Sequence, residues 1–334
     1  MPAPKWRPSG WRGNDEAVRI VTIALRGRGR GSLAAAVTAI ALAGCVASES
    51  APPVTETVQP VRVTPTPSPT PSPPPSPTPA PKPTRAPVFT FDGELTQGGW
   101  IRGTAPGGTV SAKIDDQELI LDEEGRFFAA FDRDAGTQAR LTATLADGRV
   151  IASPVTVSPR DWNIERVNVA RTPGGASEAF MARRNPELEA IYLSRQKRTG
   201  AEGWRQDFVW PVRGRISGRF GSQRIYRGEP GSYHSGLDIA QPTGTPFVAP
   251  ADGVVVLAVD DYSLEGQLLI IDHGQGLNSA FLHCSRILVR EGEQVRQGQH
   301  IGDVGASGRA TGPHLHWGLT WHGARLDPLL FVDR

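Results

Sequence analysis

Two cysteines, Cys45 and Cys284, are too few in 334 residues to build a disulfide framework, so ordinary packing has to hold the fold. Long hydrophobic runs are missing as well. The most apolar stretch, Ser32 to Cys45 ("SLAAAVTAIALAGC"), is too short to span a bilayer as a finished helix. The chain has no His-Glu-x-x-His pair, and around Ser307 "GASGR" breaks the G-x-S-x-G pattern at its last position, which argues against a serine triad. An excess of positive charge is absent where it would matter. Residues 1 to 44 hold 7 of the 36 Lys and Arg and 2 of the 34 Asp and Glu, leaving a net of −3 beyond them. The overall positive charge therefore gives no argument for nucleic-acid binding, which depends on a basic face, and no nucleic-acid partner is expected.

The apolar stretch ending at Cys45 follows Arg26, Arg28 and Arg30 and reads as a secretory signal occupying residues 1–45. Its end, Leu42-Ala43-Gly44-Cys45, resembles the lipobox of bacterial lipoproteins. The resemblance implies that Cys45 is diacylated, becomes the first mature residue and anchors the chain to a membrane. Val46 stands where an aspartate would resemble an inner-membrane retention signal, so in a diderm cell the expected location is the outer membrane, facing the periplasm. Residues 46–87 then alternate proline with Ser, Thr and Ala ("TPTPSPTPSPPPSPTPAPKPTRAP"). Such a segment has little to bury and prefers polyproline II, at about 3.1 Å per residue, so it reads as a stalk with a reach on the order of 100 Å.

Order is expected from Val88. Short segments such as "VFTFDGEL", "QELILDEEGRFFAAF" and "ARLTATLADGRVIAS" alternate apolar and polar residues between Gly, Asp and Pro turns, predicting a small β-sandwich over residues 88–160. It holds no catalytic constellation, and a spacer or wall-binding role is the default. Residues 161–206 predict a short helical connector: Asn185 as cap, Pro186 in the first turn, and Leu188, Ile191 and Tyr192 on one stripe. From residue 207 to 334, β-branched runs bounded by glycine ("GVVVLAVDD", "GQLLIIDHG") predict a mainly antiparallel β-domain.

Four stretches of that last domain carry chemistry. In "SYHSGLDIA", His234 and Asp238 stand four apart on a backbone that Gly236 makes extended or looped. An imidazole nitrogen and a carboxylate oxygen suit Zn²⁺, although alone the pair reads as a surface ion pair. In "GPHLHWGL", His314 and His316 on a strand point the same way, roughly 6.5 to 7 Å apart, while Leu315 and Trp317 face packing. In "SAFLHCS", His283 and Cys284 on a strand point to opposite faces, which makes them a poor nucleophile pair and leaves Cys284 a small buried hydrophobe. "GASGRATGPHLH" supplies a glycine-rich turn that lets backbone approach a site. His273 reads as structural, and His300 and His322 read as exposed.

Taken together and in order, "HSGLDIA", "GTPFVAPADGVV", "IDHGQGLNSAFLH", "VRQGQHIGDVGASGRATGPHLHWGL" and "DPLLF" resemble the M23 peptidases, the lysostaphin-type or LytM-type zinc endopeptidases of peptidoglycan, over roughly Phe208 to Val332. The resemblance implies that His234, Asp238 and His316 bind Zn²⁺, with His283 and His314 as catalytic histidines. It also implies peptidoglycan peptides as substrate. Phe281 departs from a tyrosine frequent in the family, removing one hydroxyl near the site. Two other readings stand beside hydrolysis. LytM-like proteins that have lost several of the five residues act as amidase activators, whereas all five stand here; and a tethered wall-binding protein would work through its β-sandwich. Radiolabelled palmitate should label the wild-type chain and not Cys45→Ala; equal labelling would remove the lipid anchor.

Overall fold

A computed structural model describes residues 87–169 and 177–333. The signal segment expected over 1–45 and the stalk expected over 46–87 lie outside the described residues, save residue 87. The described residues are mainly antiparallel β-sheet with one long helix.

Seven strands come first: β1 (Thr90–Gly93), β2 (Trp100–Thr104), β3 (Thr109–Ile114), β4 (Gln117–Glu118), β5 (Arg126–Ala130), β6 (Gln138–Leu145) and β7 (Val150–Thr156). They form two antiparallel sheets, β1-β2-β5 and β4-β3-β6-β7. The alternation in β6 buries Ala139, Leu141, Ala143 and Leu145, the first three in a core with Ile101 and Phe127. Phe127 meets Phe89 edge to face at 6.0 Å. β5 does not alternate, because both its faces are covered. Phe128 points away from the sandwich core and packs 6.3 Å from Trp321 and 6.4 Å from Phe331 of the C-terminal domain. The Trp100 indole donates to Leu330 O at 2.8 Å. The sandwich is thus docked through a shared apolar core.

A short strand, β8 (Ile164–Val167), leads towards helix α1 (Glu178–Gln196). The helix starts earlier than the sequence suggests. Ser177 is its cap, accepting from Phe180 N at 3.1 Å, while Asn185 and Pro186 lie inside it. The expected stripe also fails, since Leu188 and Tyr192 are 38% and 52% exposed and only Ile191 is buried. Polar contacts explain both differences. Arg184 donates to both Glu265 oxygens at 2.6 and 2.7 Å and to Glu187 at 3.0 Å. Glu187 in turn accepts from Ser263 N at 2.9 Å. A buried ionic latch, rather than an apolar stripe, selects the face that docks, and it offsets the backbone bond that Pro186 cannot make.

The remaining strands are β9 (Arg215–Gly218), β10 (Gln223–Tyr226), β11 (Glu229–Pro230), β12 (Leu237–Ala240), β13 (Pro246–Val248), β14 (Gly253–Tyr262), β15 (Gly266–Asp272), β16 (Leu277–Cys284), β17 (Arg286–Ile287), β18 (Gln294–Val295), β19 (His300–Asp303), β20 (His314–Trp321) and β21 (Ala324–Leu326). The main sheet runs β18-β14-β15-β16-β20-β12-β9, with β21 also on β20. One face sends Leu269, Ile271, Phe281, Leu315, Trp317 and Leu319 into the core shared with the sandwich. On the other face Val256, Leu257, Leu268, Ile270 and Ala280 are capped by Ile191, so α1 covers part of the face to which His316 belongs.

Arg184→Met strands the Glu265 carboxylate, 14% exposed, and takes one donor from Glu187, which keeps Ser263 and Arg183; it should cost about 3 kcal/mol. Amide exchange should speed up in residues 178–196 and leave β16 and β20 protected; uniform loss of protection would contradict a local latch.

Candidate metal centre

Strand register assembles the site. β12 pairs with β20 so that Asp238 lies directly opposite His316 and Ala240 opposite His314. His314 and His316, two apart, share one face, and Leu315 and Trp317 are fully buried on the other. β16 flanks β20 with Leu282 opposite His316, and strict alternation would turn His283 away. A β-bulge prevents that: two residues of β16 oppose one of β15, and His283 takes a left-handed backbone with φ 64°. Its ring therefore lies 5.0 Å from that of His314, while Cys284 points into the core. Burial pushes the Cys284 thiol up to about 12, and it serves as packing. At the fourth corner, Gly236 leaves room for His316. A Cβ there would sit 2.7 Å from His316 Nε2 and 2.6 Å from Trp317 O.

The donor atoms converge. Asp238 Oδ1 lies 2.9 Å from His234 Nε2 and 2.8 Å from His316 Nδ1, and the two nitrogens are 3.1 Å apart. Two imidazole lone pairs and a carboxylate oxygen aimed at one point repel one another unless a cation sits between them. Tetrahedral zinc, with bonds of about 2.0–2.1 Å, places its ligand atoms only a few tenths of an ångström further apart. The residues present fit that ion: nitrogen and oxygen donors, partly exposed at 24%, 20% and 11% of side-chain surface.

Backbone carbonyls orient the rings. His234 Nδ1 is 3.1 Å from Arg219 O, His283 Nδ1 is 2.8 Å from Ser307 O, and His314 Nδ1 is 2.8 Å from Gly312 O. A carbonyl only accepts, so each Nδ1 carries the proton and each Nε2 is presented towards the site. His314 Nε2 lies 3.7 Å from Asp238 Oδ1. Burial works against ionisation of Asp238, but hydrogen bonds and charge from His234 and His316 override it and hold the carboxyl well below the usual carboxylate range. Burial also lowers His234, yet the Asp238 carboxylate outweighs it and raises that imidazole. His316 is lowered chiefly by burial, against the pull of the Asp238 carboxylate, and His283 chiefly by burial. Metal binding needs unprotonated donors, which a carboxylate this acidic and an imidazole this hard to charge supply.

All five residues expected from the sequence are thus brought together. The others separate. His273 is fully buried, bonded to Asp252 O and Ser279 Oγ at 2.7 Å each. His300 is exposed and pairs with Asp303 at 2.8 Å. His322, expected to be exposed, is half-buried instead, with Nε2 unpartnered and its pKa pushed down to about 4 by burial and by Arg198. Ser307 is structural: its hydroxyl accepts from Gln267 N and donates to Cys284 O. The sequence gives no sign of the carbonyls of Arg219, Gly312 and Ser307, which orient three rings, because backbone acceptors have no residue signature.

Residues 232–328 match the family model Peptidase family M23. The peptidoglycan DD-endopeptidase ShyA of Vibrio cholerae is 42% identical over 119 residues, 34% of this chain and 27% of that protein. The lipoprotein NlpD/LppB homolog of Pseudomonas aeruginosa is 38% identical over 132 residues, 40% of each chain. This chain therefore spans less than half the length of either relative. A crystal structure of a candidate M23 peptidase from Pseudomonas aeruginosa is 29% identical and covers 71% of this chain and 94% of its own, with a TM-score of 0.54.

Burial pushes His273 down to about 4, against about 6.5 unfolded. Above pH 6.5 both states are neutral at this position; below it only the unfolded chain takes the proton, so stability falls as the pH drops from about 6.5 towards 4. For metal-free protein, His273→Gln should remove ~2 kcal/mol of the loss between pH 7.5 and 5, read from denaturant midpoints. An unchanged pH slope would contradict the assignment.

Proposed function

From the match of residues 232–328 to the family model Peptidase family M23, we propose that the chain is a zinc-dependent endopeptidase hydrolysing the peptide stems or cross-links of peptidoglycan in the cell envelope. The observation that carries this reading is the convergence of His234, Asp238 and His316 on one point, with His283 and His314 beside them.

Zinc held there would polarise the scissile carbonyl and make water acidic near neutral pH. The protein's own groups do the rest. His283 and His314, each locked as the Nδ1–H tautomer by a carbonyl, offer an unprotonated Nε2 beside the site. Either can take a proton there and, once charged, donate it to the oxyanion or to the departing amine nitrogen. The ligand imidazole of His234 is oriented by the Arg219 carbonyl, which strengthens it as a donor. Phe281 supplies no hydroxyl: it is fully buried, stacked 5.2 Å from Phe247.

Peptidoglycan as substrate is supported by the relative named as a peptidoglycan DD-endopeptidase. Attachment through Cys45 is supported by the lipobox and by the relative named as a lipoprotein. No helix among the described residues is long and apolar enough to cross a membrane, and the proposed anchor is the acylated cysteine, in the outer membrane of a diderm cell.

Residues 88–334 acting on isolated murein sacculi should release muropeptides and bind one zinc per chain. His316→Ala should lose the metal, whereas His314→Ala should keep it and lose turnover by at least about 100-fold. Zinc binding without cleavage would favour the non-hydrolytic activator, and absence of both would overturn the metal site.

A further inference from the structure

The ligand His234 does not sit on the main sheet. It ends a loop that begins at Arg219, and it is tied to the start of that loop three times. Its ring Nδ1 donates to Arg219 O at 3.1 Å, its backbone N donates to Ser222 O at 2.8 Å, and its carbonyl accepts from Gly221 N at 2.9 Å. The shape of the 219–223 turn therefore fixes where the imidazole points.

That turn is gripped from outside the domain. Arg133, in the sandwich and only 5% exposed, places Nη2 3.0 Å from Gly221 O and 3.1 Å from Gln223 Oε1, with Nε 3.3 Å from Gly221 O. Its guanidinium lies 4.6 Å from the ring of Tyr233, the residue before the ligand, and 5.1 Å from the ring of Trp162. Trp162 covers Gly221 so closely that a Cβ there would meet its ring at 2.1 Å, at a residue whose φ is +78°. It also meets Phe220 edge to face at 5.7 Å. The connector adds β8 in parallel to β10, and Gln223 N donates to Asn163 O at 3.0 Å.

We propose that Arg133 is a positioning residue of the metal centre: it holds the 219–223 turn in the shape that aims His234 at Asp238 and His316, which makes the β-sandwich a working part of that centre rather than a spacer. The proposal rests on the metal-binding part of the function proposed above. A buried guanidinium satisfied by a carbonyl of the turn is costly to remove, because the turn carbonyl then loses two donors with no water to replace them. Partners one step out from a ligand typically set 10- to 100-fold in metal affinity, and Arg133 acts one step further.

The test is zinc affinity of the full chain, measured by competition with a chromophoric chelator, for wild type, Arg133→Met, Arg133→Lys and Leu141→Ala. Arg133→Met should bind zinc about 10-fold more weakly, and Arg133→Lys, which keeps one donor for Gly221 O, should fall between it and wild type. Leu141→Ala truncates the sandwich core away from the turn and reports general destabilisation; it should stay within about twofold of wild type at temperatures where it is folded. Equal affinity of wild type and Arg133→Met would overturn the proposal, as would equal losses in Arg133→Met and Leu141→Ala. Should Arg133→Met fail to fold, an unchanged Arg133→Lys overturns it just as well. A wild-type chain that binds no zinc would instead overturn the metal reading beneath it.

Discussion

The register between β12 and β20 is the constraint on which the rest of this structure depends. Asp238 faces His316 across four consecutive residue pairs, and the side-chain period of a strand is two. A slip of one residue would turn Asp238 into the core and bring Leu237 or Ile239 to the site. The fully buried Leu237 and Ile239 forbid that slip, since it would carry both out of the core they share with Leu315 and Trp317. The apolar residues between the ligands are thus what keeps the ligands facing one another. The fold and the site share one pattern.

Much of that pattern was legible in the sequence. The alternation in "HLHWGL" separates site from core, and Gly236 with its turn-rich flanks points to an extended or looped backbone between His234 and Asp238. The two-sheet organisation of the sandwich follows from period-two segments such as "ARLTATL". What was not legible depends on distant partners. The start of α1 and its docking face are set by Glu265 and Ser263, about eighty residues downstream of Arg184 and Glu187, and no helical periodicity encodes them. The neighbouring His283 and Cys284 do diverge, as expected, but by a route the sequence hides: a bulge and a left-handed residue, not simple alternation.

The sandwich illustrates a related limit. Searched for catalytic side chains, residues 88–160 offer none. Their contribution lies in packing, through Phe128 against Trp321 and Phe331, and in Arg133 against the loop that ends at His234. Arginine in a turn between two strands is unremarkable in a sequence; it matters only once Gly221, Trp162 and Tyr233 surround it.

The distances in sequence between the parts of the centre also order its appearance during synthesis. His316 follows His234 by 82 residues and Asp238 by 78, and Arg133 precedes Gly221 by 88. A nascent chain that has not yet exposed β20 has two of the three converging side chains and an unpaired edge on β12, so it can neither complete that triangle nor pair that strand. The candidate centre therefore stays incomplete until β20 has emerged, whatever compartment the growing chain is passing through.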